Sequence, residues 1–415
     1  MAATPVLSGL ASRTLYDAVL KDFYYGPIVK QLNDSTPLLQ RLESTTDHVD
    51  FSGRQVVVPL WTGRSAGKGW RNEGEPLPTP GAQVTKKAVF TLKSAYGSFS
   101  LTGHVIRFTR NDPGAFVRAM ETEMDGIKTD VSVDLARVLY GDGTAAIATV
   151  VAGSTGTVIN LSSNESLVKG QLHVGLLIDV GTLATPESRC SAQAITAVNV
   201  TAAQITVAAS GTPVATELVF INDNADTVSS KEANGIQAII SSTAVTVGGI
   251  TEASEPTWIP TRDAAGTALT VDRMLQLRGK LKQAGDTGGQ FIITDDFGLR
   301  TFWNAHTNAA ATPIGGIRYN DPTHIDGGFE TVKFNGTPII GDYLHPWGKM
   351  HFVDGKALKI FHTGDWQYLD EDGRILKQRA GYDAWDGFLV RDLQLGCNRR
   401  NSSAVMTFSG DTNGV

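Results

Sequence analysis

Apolar positions recur every second residue in many short runs along this chain, and every third or fourth residue in one long run. The long run reads Phe116, Met120, Met124, Ile127, Val131, Leu135, Val138 and Leu139, which puts one apolar face on a helix. Asp112 suits its N-cap and Pro113 its first turn, and Gly141-Asp142-Gly143 stops it. About 27 residues at 1.5 Å each give roughly 40 Å, a length that suits a spine across a flat, extended subunit.

Before that helix the pattern is broken. Leu15, Ala18, Val19 and Leu20 form a small face, followed by Phe23, Tyr24 and Tyr25. After a break at Asn33-Asp34-Ser35-Thr36-Pro37 come Leu38, Leu39 and Leu42. So thin a segment cannot bury these side chains alone, and it must lie on the rest of the chain or on a neighbouring subunit. Residues 55–60, 88–92 and 98–102 alternate as strands. Between the first two, residues 61–83 are dense in Gly, Pro and charge, with too little apolar area for a core. Strands flanking such a stretch predict an extended hairpin with a long polar tip, and loops of this length are functional or disordered.

From about 144 to 260, charged and aromatic residues thin out. Candidate strands at 158–161, 176–180, 194–200, 204–207 and 218–221 are spaced as in a small β-barrel or sandwich. A helix precedes this stretch and a mixed pattern follows it, so it reads as an inserted domain. Beyond 260, Thr270 caps a helix through Met274, Leu275, Leu277 and Leu281 that breaks at Gly285. Phe291-Ile292-Ile293 is a short buried strand, and 297–308 a second helix. Asn335-Gly336 is a strong hairpin signal between 332–334 and 337–340. Asp354-Gly355 predicts another between 351–353 and 358–361. Residues 386–395 and 404–408 read as strands closing an α/β sheet.

Composition narrows the function classes. The 415 residues suffice for two to three domains, and 41% hydrophobic with 19% charged residues is ordinary for a globular chain. A net charge of -6 does not suit a protein that coats nucleic acid by neutralising phosphates. If the protein encloses nucleic acid, it does so as a wall. Cys190 and Cys397, far apart and outside any CxxC spacing, read as two reduced thiols of a cytosolic protein. The N-terminus lacks the pattern of a signal peptide, and no stretch approaches the ~20 apolar residues of a membrane span.

No constellation supports catalysis. Asp286-Thr287-Gly288 matches the aspartic-protease triplet, but Gln283-Ala284-Gly285 at a helix end replaces the apolar strand that would align two carboxylates. Asp295-Asp296 after Thr294 reads as a helix cap rather than a metal pair. The eight histidines, among them His324, His345, His351 and His362, form no HxH or HExxH arrangement. Gly63-Arg64-Ser65-Ala66-Gly67 fits GxSxG, yet Gly67-Lys68-Gly69 prevents the helix that a nucleophile elbow needs. The same absence removes a phosphate-loop reading. Catalytic, cofactor and metal residues are therefore expected to be none.

The order of parts resembles the major capsid proteins of tailed phages that share the HK97-type fold. The residues carrying the resemblance are Pro37-Leu38-Leu39, Val57-Val58-Pro59-Leu60 leading into Gly63-Arg64, the tip from Glu73 to Gly81, the helix beginning at Asp112, and Phe334-Asn335-Gly336-Thr337-Pro338-Ile339-Ile340. The resemblance implies an α+β fold with an N-terminal arm (1–50), an extended hairpin loop with its strands (51–110) and a spine helix of a peripheral domain (111–143). An inserted all-β domain (144–260), an axial domain (261–350) and return strands (351–415) follow. It implies inter-subunit contacts through the tip residues Trp61, Arg64, Lys68, Arg71, Glu73 and Glu75, and through the arm residues Leu15, Phe23, Tyr24, Tyr25, Leu38 and Leu39. The implied partners are further copies in hexamers and pentamers of a shell, a separate scaffolding protein, a portal, a cement protein, and enclosed DNA without specific binding. No membrane or cofactor is implied. A long scaffolding leader is not evident, which implies a separate scaffolding protein or a sequence already trimmed, and no Asn and carboxylate match Lys68, Lys86 or Lys87 for covalent cross-linking. The rival readings are an encapsulin-type compartment, a β-rich phage tail or binding protein, and a hydrolase using Ser65.

Overall fold

The computed structural model describes residues 37–45, 49–50, 55–104, 113–209, 211–225, 230–285, 290–310, 332–370 and 375–409. Leu15, Phe23, Tyr24, Tyr25, Asp112, the Asp286 triplet and His324 lie outside the described residues.

In chain order, helix α1 (Pro37–Thr45) precedes a short strand β1 (Val49–Asp50), the paired strands β2 (Gln55–Gly63) and β3 (Val84–Thr91), and β4 (Lys93–Thr102). The long helix α2 runs Pro113–Tyr140, 28 residues, and ends at the predicted glycines. Its C-terminal turns bury Leu135, Ala136, Val138, Leu139 and Tyr140. Strand β4 crosses the helix where Gly97 sits. A Cβ there would lie 2.5 Å from Val131 Cγ2 and 3.1 Å from Ile127 Cγ1, so the approach requires glycine.

Strands β5 (Ala146–Thr149), β6 (Val158–Asn160), β7 (Leu177–Thr182), β8 (Thr185–Asn199), β9 (Gln204–Val207) and β10 (Leu218–Ile221), alongside the short helix α3 (Glu165–Val168), form a sheet of their own. Its strand order is β5-β10-β7-β8-β9-β6. An antiparallel bridge between Val150 and Leu161 joins the two ends, so the sheet closes into a small barrel. Val150, Ile159, Ile178, Val180, Cys190, Ile195, Ile205 and Val219 fill it. Buried Asp179 accepts the Ala192 and Asp223 N–H groups at 2.8 and 2.7 Å. Both donors sit in the left-handed region, φ 48° and 64°, so one carboxylate holds two strained turns.

The remainder comprises helix α4 (Ile236–Ile239), β11 (Thr261–Asp263), α5 (Val271–Ala284), β12 (Gln290–Thr294), α6 (Asp296–Ala310), β13 (Val332–Phe334), β14 (Thr337–Gly341), β15 (Lys349–Asp354), β16 (Leu358–His362), β17 (Gln367–Tyr368), β18 (Leu376–Gln378), β19 (Ala384–Cys397) and β20 (Ala404–Thr407). One mixed sheet has the order β11-β20-β15-β12-β14-β13. Another centres on β19, which pairs with β4 on one flank and with β16, β17 and β18 on the other. The predicted caps form: Thr270 Oγ1 accepts the Arg273 N–H at 3.3 Å, and Asp295 Oδ1 accepts the Gly298 N–H at 3.2 Å.

Two expectations need correcting. Asn335 (φ 47°) and Gly336 (φ 80°) turn β13 into β14 as a hairpin. Asp354-Gly355 does not act alike, since β15 pairs with β12 and β20 whereas β16 pairs with β1 and β19. Gly355 is not left-handed, and buried Asp354 accepts the Lys356 N–H at 3.1 Å. The chain therefore steps from one sheet to the next there. Leu38 and Leu39, expected at an inter-subunit contact, are buried in this chain's own core together with Leu42, Leu139 and Tyr140. Three leucines within two turns of α1 found an intramolecular partner, the first of the two possibilities their pattern left open.

Two glycine substitutions test this packing in opposite directions. Gly97→Val should lower stability by about 1–3 kcal/mol through overpacking against α2. Gly279→Ala, inside α5 with nothing within 4 Å of where the new Cβ would stand, should raise it by about 1 kcal/mol. Urea midpoints measure both.

Candidate functional site

Most of the hairpin is exposed in this chain. Strands β2 and β3 pair from Gln55 opposite Thr91 to Gly63 opposite Val84, with a bulge between Trp61 and Gly63. Only the base has a core: Leu60, Ala88 and Phe90 are buried, and the Phe90 and Phe361 rings lie 5.9 Å apart. The Val89 N–H donates to Gly248 O at 3.0 Å, and Lys86 pairs with Glu255 at 3.4 Å. The hydrogen bonds of residues 64–83 among the described residues run within the hairpin.

The tip is nevertheless shaped. Ser65 Oγ donates to Gly81 O at 2.9 Å and accepts the Gly67 N–H at 3.1 Å. Gln83 Oε1 accepts from Trp61 Nε1 at 3.0 Å and from the Ser65 N–H at 3.1 Å. These bonds clamp the two limbs into a neck. A Cβ on Gly67 would stand 2.7 Å from Gly81 N, so the limbs meet only because both residues are glycine. Further out, Arg71 Nε donates to Pro76 O at 3.0 Å. Glu75 accepts both the Asn72 N–H, at 3.1 Å, and its side-chain amide, at 3.0 Å, closing a turn at Gly74 (φ 84°). Those two donors hold the Glu75 carboxyl below the usual carboxylate range.

Trp61, Arg64, Lys68, Arg71, Glu73 and Glu75 all reach solvent. Trp61 is 70% exposed, Leu77 86% and Trp70 99%. Trp70 and Leu77 thus stand in water on a backbone held by its own hydrogen bonds and join no core cluster among the described residues. Trp70 and Leu77 escaped the sequence reading, which weighed the charges of the tip. Their signal was their position, two large apolar residues amid glycine, proline and charge.

No family model matches this chain, and no curated protein is similar to it. Solved structures are. The capsid asymmetric unit of cyanophage A-1(L) superposes with a TM-score of 0.60 at 13% identity, over 96% of this chain and 99% of that one. The capsid of a native GTA particle, computed with C5 symmetry, superposes with a TM-score of 0.53 at 10% identity, over 97% and 100%. The fold is that of a capsid subunit. The likeness covers nearly the whole of both chains.

Among the described residues, Ser65, Asp295 and the two cysteines have their polar groups committed or buried. Ser65 spends its hydroxyl on the neck of the hairpin. Asp295 caps α6. Cys190 and Cys397 are free and buried, with burial pushing their thiols up to about 11 and about 12, so neither presents a thiolate. Among the described residues no three His, Cys, Asp or Glu side chains gather as a metal site, and no helix is long and apolar enough to cross a membrane. His345 and His351, unremarkable in sequence, meet in the interior at 2.7 Å.

Ser65→Ala should leave the thermal midpoint unchanged within about a degree, because the neck lies outside every core. It should speed amide exchange at Gly67 and residues 81–83 by about 5–10-fold, the worth of roughly 1 kcal/mol of hydrogen bonding. Exchange mass spectrometry on the folded chain reads this directly.

Proposed function

We propose that this chain is the shell-forming subunit of a tailed-phage capsid, a structural protein without catalytic activity. The observation that carries the reading is the combination of a capsid-subunit fold over nearly the whole chain with a clamped hairpin whose tip exposes Trp70 almost completely. In this reading the β2–β3 hairpin is the extended loop, α2 the spine of the peripheral domain, and the sheet containing β12 the axial domain. The barrel is the inserted domain. The tip residues Trp61, Arg64, Lys68, Arg71, Glu73 and Glu75 then face a neighbouring subunit. Trp70 and Leu77 supply apolar area there, and charges of both signs fix orientation.

The energetics favour a closed assembly. Each tip offers a small contact, and many weak contacts on one lattice reinforce one another. The acidic balance of the chain suits a wall that encloses DNA without binding it tightly. A separate scaffolding protein, a portal and a cement protein complete the set of partners, and assembly takes place in the cytoplasm of the host.

Electron microscopy of the protein, expressed alone and with its neighbouring genes, tests the proposal. Closed shells, or hexameric and pentameric rings, are the expected outcome. A monodisperse monomer under both conditions refutes it. The double variant Trp70→Ala, Leu77→Ala should keep the thermal midpoint of the isolated subunit and lose closed shells.

A further inference from the structure

We propose that His345 and His351 form an acid-sensitive latch, which holds the barrel against the β12-containing sheet near neutral pH and lets it go when the pair takes up a proton. The two rings are fully buried, bonded Nε2 to Nδ1 at 2.7 Å and set edge to face. Their outer nitrogens, His345 Nδ1 and His351 Nε2, have no hydrogen-bond partner among the described residues. One shared proton satisfies the inner pair. A second would have only the Pro346 backbone beside His345 to favour it, against burial and the His351 and Lys169 charges.

The pair sits where the barrel meets the sheet. From the barrel, Lys169 Nζ donates to His345 O at 2.7 Å and Leu344 O at 3.4 Å, while Glu165 Oε1 accepts both Lys169 Nζ and the Trp347 N–H, the latter at 3.1 Å. The Lys169 ammonium also lies 5.8 Å from the Trp347 ring centroid. The acceptor that seats the barrel is therefore the backbone of the histidine whose ring is locked to His351. If the ring moves, the carbonyl that receives Lys169 moves with it.

The surrounding charges are already committed. From the end of α2, the Tyr140 ring stands edge-on to His345 at 5.4 Å, and its hydroxyl donates to Asp342 at 2.6 Å. Asp342 also accepts the Leu344 N–H at 2.9 Å and the Leu38 N–H of α1. On the strand of His351 itself, Lys349 donates to Gln237 of α4. Asp142 accepts from Thr144, and Asp295, the remaining acid near Lys169, caps α6. An imidazolium would thus face Lys169 and Lys349 with no free carboxylate beside it. A polar pocket of about 160 Å³, lined by Asp142, Gln237, Ser242, Lys349 and His351 among others, gives water a way in.

Burial, aided by Lys349, pushes His351 from its ordinary 6.5 down to about 3; burial, then His351 and Lys169, puts His345 well below its ordinary value too. The closed form therefore keeps its full advantage above pH 6.5 and loses it progressively as pH falls toward 3. For one ring moving between these limits, the opening equilibrium at pH 4.5 rises about 100-fold. The latch belongs to the single chain and does not depend on shell formation.

Hydrogen exchange of the full-length, unassembled chain at about pH 7 and about pH 4.5, corrected for intrinsic rates, is the test. Protection at 165–170 and 343–348 should fall about 100-fold, while β7 and β12 keep theirs. The double variant His345→Leu, His351→Leu, which fills the site without titrating, should flatten the response to within about threefold. The control His362→Gln, at a buried histidine elsewhere, should leave it intact. Protection at 165–170 that is flat between the two pH values, or that falls equally in every strand, overturns the latch. So does an acid response that disappears with His362→Gln.

Discussion

A sheet that is buried on both faces governs this fold. All five residues of β12 are buried, and its alternate side chains enter different cores. Ile292 joins Met274, Leu281, Phe302, Met350, Phe352 and Met406 beneath α5 and α6. Phe291 and Ile293 join Val353, Val405, Leu38, Leu139 and Tyr140 on the other side. A register slip of one residue would exchange the two sets, so the pairing is specified from both directions at once. That constraint fixes the end of α2 and the seat of α1, and through the β15-to-β16 step it fixes the sheet centred on β19. The hairpin and the barrel are attached to this frame rather than part of it.

What the sequence disclosed follows the strength of each local signal. The apolar face of α2 and its terminal glycines placed that helix almost to the residue, and Thr270, Gly285 and Asn335-Gly336 marked their caps and turn because each motif carries its own geometry. Strand β9 was legible from the β-branched run Ile205-Thr206-Val207, and β10 from the apolar run Leu218-Val219-Phe220-Ile221. The first part of β8, Thr-Pro-Glu-Ser-Arg, was not, since its pairing comes from β7 and not from propensity. Asp354-Gly355 misled because a short turn motif does not say which sheet the next strand will join. Leu38 and Leu39 misled because apolar residues in an arm look the same whether their partner is within the chain or in another copy. The histidine pair lay beyond reach. Six residues of separation say nothing about a contact that a strand and the loop before it create together.

The exposed parts of the molecule share a physical character. The hairpin holds its shape by backbone and side-chain hydrogen bonds with hardly any buried area, so forming a contact there costs little conformational entropy. Its large apolar side chains, Trp70 and Leu77, stand on a scaffold set beforehand. A lattice of such contacts can be individually weak and still cooperative. In the proposed latch, the polar contacts of Lys169 and Glu165 make a joint whose strength responds to solution conditions in a manner that apolar packing does not.

The closure of the barrel has a further consequence. Because Ala146 in its first strand lies directly opposite Phe220 in its last, the chain enters and leaves the module through neighbouring strands about 4.8 Å apart. Its perimeter is sealed by the Val150–Leu161 bridge, which leaves no unpaired rim to recruit a strand from a crowded neighbour. A unit with adjoining ends asks of the surrounding fold only that two neighbouring strand positions be supplied, so its length and loops are decoupled from the spacing of the elements on either side.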